Sequence, residues 1–305
     1  MALATSDYQR LRESAGLVDR SDRGKLLLTG AEAAEYLQGQ VTNDVEALAP
    51  GEGCYAALLT HKGKVVADMR ILRETESLLL DTEAHALPAL RRNVEMYSIG
   101  RDVQVTDQTA DRAILSLVGP AARAALDAEP PAAEHAWVEG EHGLYVATDL
   151  GVDVICPAGA AEAVKDALGI EPVDLGAAEC VRVESGRPRH GLDFDAATIP
   201  QEAGLNERAV SFTKGCYVGQ ETVARLHYRG KPNRHLRGLK LSEPGQTGDP
   251  VTFGDREVGR LGSTAVSPVH GPIALALIRR EAAPGAEVNV GQSGEKALVV
   301  ELPFD

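Results

Sequence analysis

The pattern of apolar segments and turn-forming residues changes near residue 234, and this change restricts the possible folds more than any other feature. Upstream of it, segments with helical and strand-like patterns of apolar residues alternate. Downstream, short apolar segments are separated by turns rich in Gly and Pro, a spacing typical of a small β-barrel. The predicted barrel strands are Leu236–Leu241, Pro250–Phe253, Glu257–Ser263, Ile273–Ile278, Glu287–Val290 and Lys296–Leu302. We therefore expect an α+β region that ends near Lys231-Pro232-Asn233 and is followed by a barrel.

The upstream region contains two strand-and-helix units at similar spacing. Its clearest strand pair is Cys54–Leu59 with Val65–Leu72, joined by His61-Lys62-Gly63 as a hairpin connection. The predicted helices are Tyr8–Leu17, Ala31–Gln38, Ala84–Tyr97, Ala121–Asp127 and Ala160–Leu168. The pattern favours two α+β halves over a parallel βαβ sheet. The predicted domains are residues 1–110, residues 111–232 and a C-terminal barrel of residues 233–305.

Bulk properties indicate a soluble protein with more than one domain. The 305 residues exceed the size at which a single core stops growing, about 250–300 residues. The N-terminus lacks the pattern of a secretory signal, and no apolar run approaches the roughly 18 residues of a membrane span. A net charge of −14 makes broad affinity for nucleic acid unfavourable. We expect a cytoplasmic protein with no direct contact to nucleic acid or membrane.

One segment departs from this acidic character. Between Arg225 and Lys240 the chain carries six Arg and Lys residues and no carboxylate. The segment is either a solvated strand and linker or a patch for an anionic ligand or partner. The sequence alone leaves both interpretations open.

The four cysteines, at 54, 156, 180 and 216, are widely spaced and form no C-x-x-C pair. This spacing argues against a zinc ribbon, a ferredoxin-type cluster site and a disulfide scaffold. Free thiols in a reducing compartment fit best, and no metal site is predicted. A cluster shared between chains, or transient ligation by one cysteine, stays open.

The segment Lys214–Glu221, with the sequence KGCYVGQE, combines reactive side chains with backbone freedom. The charge of Lys214 would favour the thiolate of Cys216, the nucleophilic form of cysteine. The loop also contains Gly215, Tyr217, Gly219, Gln220 and Glu221. Its glycines permit positive φ or close backbone approach. The alternative interpretation is a Gly-rich loop before a helix, with Cys216 as a small buried filler.

This segment resembles the signature of the YgfZ family, folate-binding proteins related to the T-protein (aminomethyltransferase) of the glycine cleavage system. The starts of both families are similar to Gly16–Ser21 and Tyr36–Asp44, and their C-terminal barrels are similar to the end of this chain. The resemblance covers nearly the whole sequence. It implies two ferredoxin-like halves and a terminal barrel around a central folate channel, with tetrahydrofolate or a one-carbon derivative as the ligand. The basic segment would then suit the glutamate tail of a folate.

The resemblance also implies folate-binding residues. The hairpin from Tyr55 to Asp68 is similar to a T-protein hairpin whose tyrosine and last aspartate face the folate, but Lys64 and Ala67 replace a Gly and the first Asp of a pair. Without the resemblance, the favoured interpretation of Asp68 is a solvated charge at a strand end. The segment Val181–Gly186 resembles a T-protein motif whose glutamate hydrogen-bonds the pterin. Glu184 occupies the position of that glutamate. Glu202 lies in a second similar motif and would line the same cavity or order the Lys214 loop.

The sequence is compatible with three functions. The YgfZ resemblance implies a folate-binding factor for synthesis or repair of iron–sulfur enzymes, including radical-SAM enzymes that modify tRNA, with client or assembly proteins as partners. In that role Cys216 performs thiol, redox or cluster chemistry. The second function is that of a folate-dependent aminomethyltransferase or demethylase, in which Asp68 positions the amine nitrogen. Replacement of the paired aspartate by Ala67 argues against this function. The third is a non-catalytic binding protein with a vestigial folate pocket.

Overall fold

The computed structural model describes residues 5–305, and the chain divides into two compact units. One unit contains the described residues up to Tyr8, Asp174–Asn206 and Glu221–Asp305, and is called the barrel unit below. The other contains Gln9–Val173 and Glu207–Gln220, and is called the two-sheet unit. The domain boundaries predicted from the sequence, after residues 110 and 232, stay predictions.

The described part of the chain contains α-helices, two short 3₁₀ turns and antiparallel strands. The helices are α1 Thr5–Glu13, α2 Ala33–Gln38, α3 Leu87–Tyr97, α4 Ala161–Leu168, α5 Leu175–Glu184, α6 Asn206–Ala209 and α7 Gln220–Arg229, and the 3₁₀ turns are Ala122–Ala125 and Ala158–Ala160. The strands are β1 Gly16–Asp19, β2 Gly24–Thr29, β3 Gly53–Leu59, β4 Val65–Arg73, β5 Ser77–Thr82, β6 Gln104–Asp107, β7 Arg112–Val118, β8 Trp137–Gly140, β9 Gly143–Ala147, β10 Gly151–Pro157, β11 Arg234–Leu241, β12 Pro250–Phe253, β13 Arg256–Ser267, β14 Gly271–Arg279, β15 Glu287–Val290 and β16 Glu295–Val300.

The first sheet of the two-sheet unit has the strand order β3-β4-β5-β2-β6. Alternate residues of its strands, such as Leu26, Leu58 and Met69, form a core with Leu37 of α2 and Leu90 of α3. This alternation follows from the period of two along a strand, which sends neighbouring side chains to opposite faces. One face of the sheet is therefore apolar and covered by helices, and the other face carries polar groups together with the apolar side chains of Leu72 and Leu79.

The second sheet has the order β1-β7-β10-β9-β8 and packs against α4 through a core that includes Leu115, Val154 and Val164. α4 ends at Gly169, whose φ of +60° and N–H bond to the Lys165 carbonyl form a left-handed helix cap. The other face of this sheet meets the first sheet at an apolar cluster of Leu72, Leu79, Ile114, Val146 and Ile155. Both sheets are thus covered on two faces within the two-sheet unit.

A buried ion network also connects the two sheets. Arg70 of β4 lies 2.6 Å from Asp81 of β5 and 2.7 Å from Asp153 of β10. Arg23 lies 2.7 Å from Asp81, and the Ser116 hydroxyl donates to Asp153 over 2.6 Å. Burial alone would raise the pKa of Asp81, but the charges of Arg70 and Arg23 hold it well below its usual value. Asp81 is therefore ionised and bound from two sides.

The C-terminal strands close a barrel in the order β11-β14-β13-β12-β15-β16. Leu239, Val251, Ala276 and Val299 are among the residues that fill its interior. Outside it, Val183 of α5 belongs to a cluster with Leu236, Ile273, Leu275 and Phe304. This packing fixes α5 against the barrel wall within the barrel unit.

The structure confirms the predicted fold class, two α+β halves and a C-terminal barrel. Some predicted elements were wrong in detail. The predicted helix Tyr8–Leu17 ends at Glu13, and Gly16 starts β1, where a side chain would lie 2.5 Å from Val173. The predicted helix Ala121–Asp127 is only a 3₁₀ turn, and β8 was not predicted. Among residues 5–305, no helix is long and apolar enough to cross a membrane.

Candidate functional site

Tyr55 and Asp68 lie on one face of the first sheet and are hydrogen-bonded to each other. Tyr55 of β3 is paired with Arg70, and Asp68 of β4 is paired with Ala57, so the two side chains are diagonal neighbours. The Tyr55 hydroxyl donates to Oδ2 of Asp68, whose residue is only 7 % exposed. Burial, followed by the Asp68 charge, raises the pKa of Tyr55 well above its usual value. The phenol therefore stays protonated and acts as the donor that orients this carboxylate.

Two basic side chains flank the Tyr55 ring. The guanidinium carbon of Arg208 lies 5.6 Å from the ring centroid, within the range of a cation–π contact. The His135 ring centroid lies 6.3 Å away. Burial lowers the pKa of His135 to about 3, so the imidazole is neutral at physiological pH. Arg208 is also paired with Glu134, which fixes the guanidinium at this position.

The replacement of a paired aspartate by Ala67 has a structural explanation. Ala67 precedes Asp68 on β4, and consecutive strand residues point to opposite faces. Ala67 is fully buried in the apolar core with Leu58 and Met69. A carboxylate at position 67 would therefore face this core rather than Asp68. The replacement of this aspartate by Ala67 therefore removes no group from the face that carries Tyr55 and Asp68.

Lys214 is held by backbone carbonyls of a distant loop. Its ammonium donates to the carbonyls of Gln38, Val41 and Asn43 over 2.6, 2.8 and 2.7 Å. Burial lowers the pKa of Lys214 to about 8, an effect opposed by the Asp44 charge. The cation satisfies carbonyls at and beyond the C-terminal end of α2, which the helix leaves without partners. Lys214 thus anchors the loop that carries Cys216.

The next residues of the signature complete this anchoring. Tyr217 is buried, with the Lys214 ammonium 5.3 Å from its ring centroid. Gly219 has φ +85°, and a Cβ there would lie 2.5 Å from the Thr60 carbonyl oxygen, so only glycine fits. A Cβ at Gly215 would lie in open space, so this position would accept a side chain. Gln220 begins α7, and Glu221 lies in its first turn, where a negative charge is favourable.

Cys216 is exposed between these anchors, so the buried-filler interpretation is wrong. Cys54 is partly buried, Cys156 and Cys180 are buried, and none of the four cysteines forms a disulfide among the described residues. Burial raises the pKa of Cys54 to about 12. In the described part of the chain, no group of three or more His, Cys, Asp or Glu side chains is arranged to hold a metal ion. Cys216 is thus the accessible thiol among residues 5–305.

We expect Lys214→Met to loosen the signature loop, because three backbone carbonyls would lose their donor. The expected loss of unfolding free energy is about 1–3 kcal/mol. Chemical denaturation measures it, and limited proteolysis near Cys216 reports the loop itself. Lys62→Met, an exposed lysine of the β3–β4 turn, is the matched control. Equal stability and equal proteolysis of both variants would contradict the anchoring role.

Glu184, at the end of α5 in the barrel unit, is buried and bonded by several donors. The Tyr8 hydroxyl lies 2.9 and 3.0 Å from its two carboxylate oxygens. The Ser267 hydroxyl donates over 2.5 Å, and the Cys180 thiol lies 3.7 Å away. A carboxylate offers about four acceptor positions, so these contacts use most of its capacity. Glu184 is therefore preorganised within its own unit.

Glu202 is paired with an arginine at the start of the barrel. Arg234 binds it through Nε and Nη2, over 3.1 and 2.9 Å, in a bidentate fork. The Leu236 N–H donates to the Glu202 carbonyl over 2.8 Å. Glu202 thus joins its own loop to β11.

The structure places the predicted residues in two groups. Tyr55, Asp68, Lys214 and Cys216 lie in the two-sheet unit, and Glu184 and Glu202 lie in the barrel unit. Sequence reasoning missed four contacting side chains, namely Tyr8, His135, Arg208 and Ser267. Tyr8 and Glu184 are 176 positions apart, so no local pattern indicates their contact.

Comparison with known proteins gives matches over most of the chain. Residues 1–137 match the GCVT N-terminal domain, and residues 234–305 match the glycine cleavage T-protein C-terminal barrel domain. The aminomethyltransferase of Listeria monocytogenes is 30 % identical over 325 residues, covering 98 % of this chain and 89 % of that protein. A probable aminomethyltransferase of Haloarcula marismortui is 31 % identical over 327 residues, with the same coverage.

A solved structure is similar over the same extent. The glycine cleavage system aminomethyltransferase T of Bartonella henselae superposes with a TM-score of 0.88 at 25 % identity, covering 98 % of this chain and 89 % of that one. These matches support the T-protein relationship inferred from the sequence, but they do not single out the YgfZ branch. Since relatives at 30 and 31 % identity are matched over nearly their whole length, the chain belongs to the glycine cleavage T-protein (aminomethyltransferase) family.

Proposed function

We propose that this protein binds a reduced folate and transfers a one-carbon unit from an amine donor to it. The observation that carries the proposal is the Tyr55–Asp68 pair, a buried carboxylate oriented by a protonated phenol on the face of the first sheet opposite its helix-covered core. Membership of the aminomethyltransferase family supports the same reaction class. The buried position of Ala67 removes the argument that a missing carboxylate disfavours this reaction.

The carboxylate of Glu184 suits a folate substrate as a hydrogen-bond acceptor. A pterin presents adjacent N–H donors, and a carboxylate accepts such bonds in charge-assisted form. In the proposed reaction, Asp68 holds the nitrogen of the amine donor, and the Tyr55 hydroxyl orients the carboxylate. Glu184 accepts from the pterin with its remaining capacity, and Tyr8 and Ser267 fix its rotamer.

Glu184→Gln should weaken the binding of tetrahydrofolate by about 10- to 150-fold, the equivalent of a lost charged hydrogen bond of about 1.5–3 kcal/mol. Anaerobic calorimetric titration measures this effect. Glu179→Gln is the matched control, since Glu179 lies on the same helix and pairs with Arg182 and Arg189. An unchanged affinity in a folded Glu184→Gln protein would place the pterin elsewhere.

A second function, support of iron–sulfur enzymes, is favoured by the signature loop. Cys216 is exposed while Lys214, Tyr217 and Gly219 are fixed on either side of it. Methyl or methylene transfer to folate has no evident use for such a thiol. The YgfZ resemblance implies that this thiol serves client or assembly proteins.

Cys216→Ala separates the two functions. If one-carbon transfer is the function, the variant should retain folate affinity and turnover within about twofold, because removal of an exposed side chain changes stability little. If iron–sulfur support is the function, it should fail to restore the activity of a cluster-dependent tRNA-modifying enzyme in cells lacking the native gene. Cys216→Ser is the conservative control. Full restoration of that enzyme's activity by Cys216→Ala would show that the thiol takes part in neither mechanism.

The direct test of the proposed reaction is turnover. The protein is mixed anaerobically with tetrahydrofolate and a lipoyl carrier bearing an aminomethyl group. The proposed reaction forms a folate-bound one-carbon unit and releases ammonia and the free carrier thiol. Folate binding without turnover would favour the iron–sulfur role, and absence of folate binding would favour the vestigial pocket.

A further inference from the structure

A cavity of about 570 Å³ lies at one end of the first sheet, within the two-sheet unit. Its lining includes two charged residues, Arg73 at the end of β4 and Glu76 in the connection to β5. Small residues before and within α2 also line it, namely Gly30, Ala31, Ala33 and Ala34. Ligand pockets usually enclose about 300–1,000 Å³ and combine an apolar wall with a few polar groups. This cavity has the size and the composition of such a pocket.

Arg73 lies on the face of the sheet opposite to Asp68. The two residues are five positions apart on β4, and side chains alternate between faces along a strand. Met69 and Ile71 share the face of Arg73 and belong to the apolar core that α2 and α3 cover. Leu78, the cross-strand partner of Arg73, belongs to the same core. The cavity therefore lies at the edge of this core and is separate from the candidate site on the other face.

The Arg73 side chain is half-buried, and its Nε is shielded from solvent without a hydrogen-bond partner. Within residues 5–305, neither Arg73 nor the exposed Glu76 is in an ion pair. A buried polar atom that lacks a partner costs free energy, so each such atom in a folded protein calls for a structural or functional explanation. A ligand in the cavity would supply the missing partner.

The carboxylates nearest to the cavity in the sequence are bound to other arginines. Glu74 lies 3.2 Å from Arg112. Glu32 and Glu35, before and within α2, lie 3.8 and 3.5 Å from Arg101. These three carboxylates therefore do not neutralise the cation in the cavity.

We propose that this cavity binds a free amino acid with an apolar side chain. The Arg73 guanidinium presents parallel N–H donors that match the carboxylate of the ligand, and the Glu76 carboxylate accepts from its ammonium group. The two charged residues line one cavity but form no ion pair with each other, so a zwitterion would neutralise both. The alanines and Leu78 form an apolar wall for the ligand's side chain.

A zwitterion fits this cavity better than a phosphate does. A phosphate group carries about −1.5 to −2 charges at pH 7, and Glu76 would repel it. An amino acid presents one charge of each sign, as the cavity does. The inference does not depend on the reaction proposed for Tyr55 and Asp68, so either can fail without the other.

Calorimetric titration of the full-length protein with L-leucine, 4-methylpentanoate and 3-methylbutylamine tests the site. The second compound is leucine without its amino group, and the third is leucine without its carboxylate. We expect leucine to bind at least about tenfold more tightly than 3-methylbutylamine, because the amine lacks the charged hydrogen bonds to the half-buried Arg73. Leucine should bind about two- to fivefold more tightly than 4-methylpentanoate, because Glu76 is exposed and contributes less.

The variants separate the two charges. Arg73→Gln should weaken leucine binding at least about tenfold. Glu76→Gln should weaken leucine binding about two- to fivefold but strengthen the binding of 4-methylpentanoate, because it removes an attraction in one case and a repulsion in the other. Ala31→Leu, at an exposed position of the lining, should weaken both by filling space without a change in charge. Arg91→Gln, on the exposed side of α3, is the control and should change the affinities less than about twofold.

Thermal melts check that each variant folds. Absence of leucine binding to the wild type at millimolar concentration would overturn the site, and so would equal affinities of Arg73→Gln and Arg91→Gln for leucine. Changes of the same sign in Glu76→Gln for leucine and 4-methylpentanoate would overturn the assignment to an amino acid. None of these titrations contains folate, so their outcome is distinct from that of the one-carbon transfer assay.

Discussion

Asp68→Asn is expected to lower the rate of one-carbon transfer about 10²- to 10⁴-fold, the usual contribution of a positioned acid–base group. Asn keeps the size of the side chain and its acceptor for the Tyr55 hydroxyl, but it removes the negative charge. That charge is what would hold the amine nitrogen of the donor. Steady-state kinetics should show the loss in kcat, with a smaller change in the affinity for tetrahydrofolate.

Tyr55→Phe provides the matched comparison. It removes the donor that orients Asp68 but keeps the carboxylate, so its effect should be about 10- to 150-fold, the value of one hydrogen bond to a charged group. Similar kcat values for wild type and Asp68→Asn would contradict the role of this carboxylate. A greater loss in Tyr55→Phe than in Asp68→Asn would assign the chemistry to the phenol instead.

Arg70→Met is expected to reduce the free energy of unfolding by about 3–5 kcal/mol. The substitution keeps an apolar stem of similar length but leaves Asp81 and Asp153 buried without their main counter-charge. Urea denaturation measures the loss. Arg91→Met removes an exposed ion pair with Glu95 and should leave the unfolding midpoint unchanged. Equal midpoints for Arg70→Met and wild type would show that the network does not stabilise the fold.

The same network predicts a dependence on pH. The pKa of Asp81 is lower in the folded protein than its usual value of 3.8, so Asp81 contributes stability above about pH 4. This contribution is lost as pH falls below that value, because the unfolded chain binds the proton first. The slope of unfolding free energy against pH between 5 and 3 should be smaller in Arg70→Met, which lacks the cation that lowers the pKa. An equal slope in both proteins would contradict this origin.

The fold was largely predictable because its signals are local. Short apolar strands between Gly and Pro turns indicated the barrel, and the hairpin of β3 and β4 was evident from period-two patterns. The helix predicted across Leu17 failed because Gly16 and Leu17 pair with β7, about a hundred positions later. Apolar spacing in a short segment cannot show such long-range pairing.

The site was predictable only where its residues share a local element. Tyr55 and Asp68 sit on one hairpin, so their separation along the chain fixes their diagonal contact. The sequence suggested that Lys214 acts on Cys216, whereas its ammonium is bound to carbonyls 171–176 positions away. The Tyr8 and Ser267 hydroxyls that donate to Glu184 lie 176 and 83 positions away from it in the sequence. Contacts of this kind require the tertiary structure.

The central claim is one-carbon transfer to a reduced folate, and a single-turnover experiment tests it most directly. Protein in excess over tetrahydrofolate is mixed anaerobically with the aminomethyl-bearing lipoyl carrier, and ammonia release is followed over time. The account predicts one ammonia per folate for wild type and Cys216→Ala, with a rate at least about 10²-fold lower for Asp68→Asn. Folate binding with no ammonia release above the protein-free rate would contradict the claim and leave the iron–sulfur function as the better explanation.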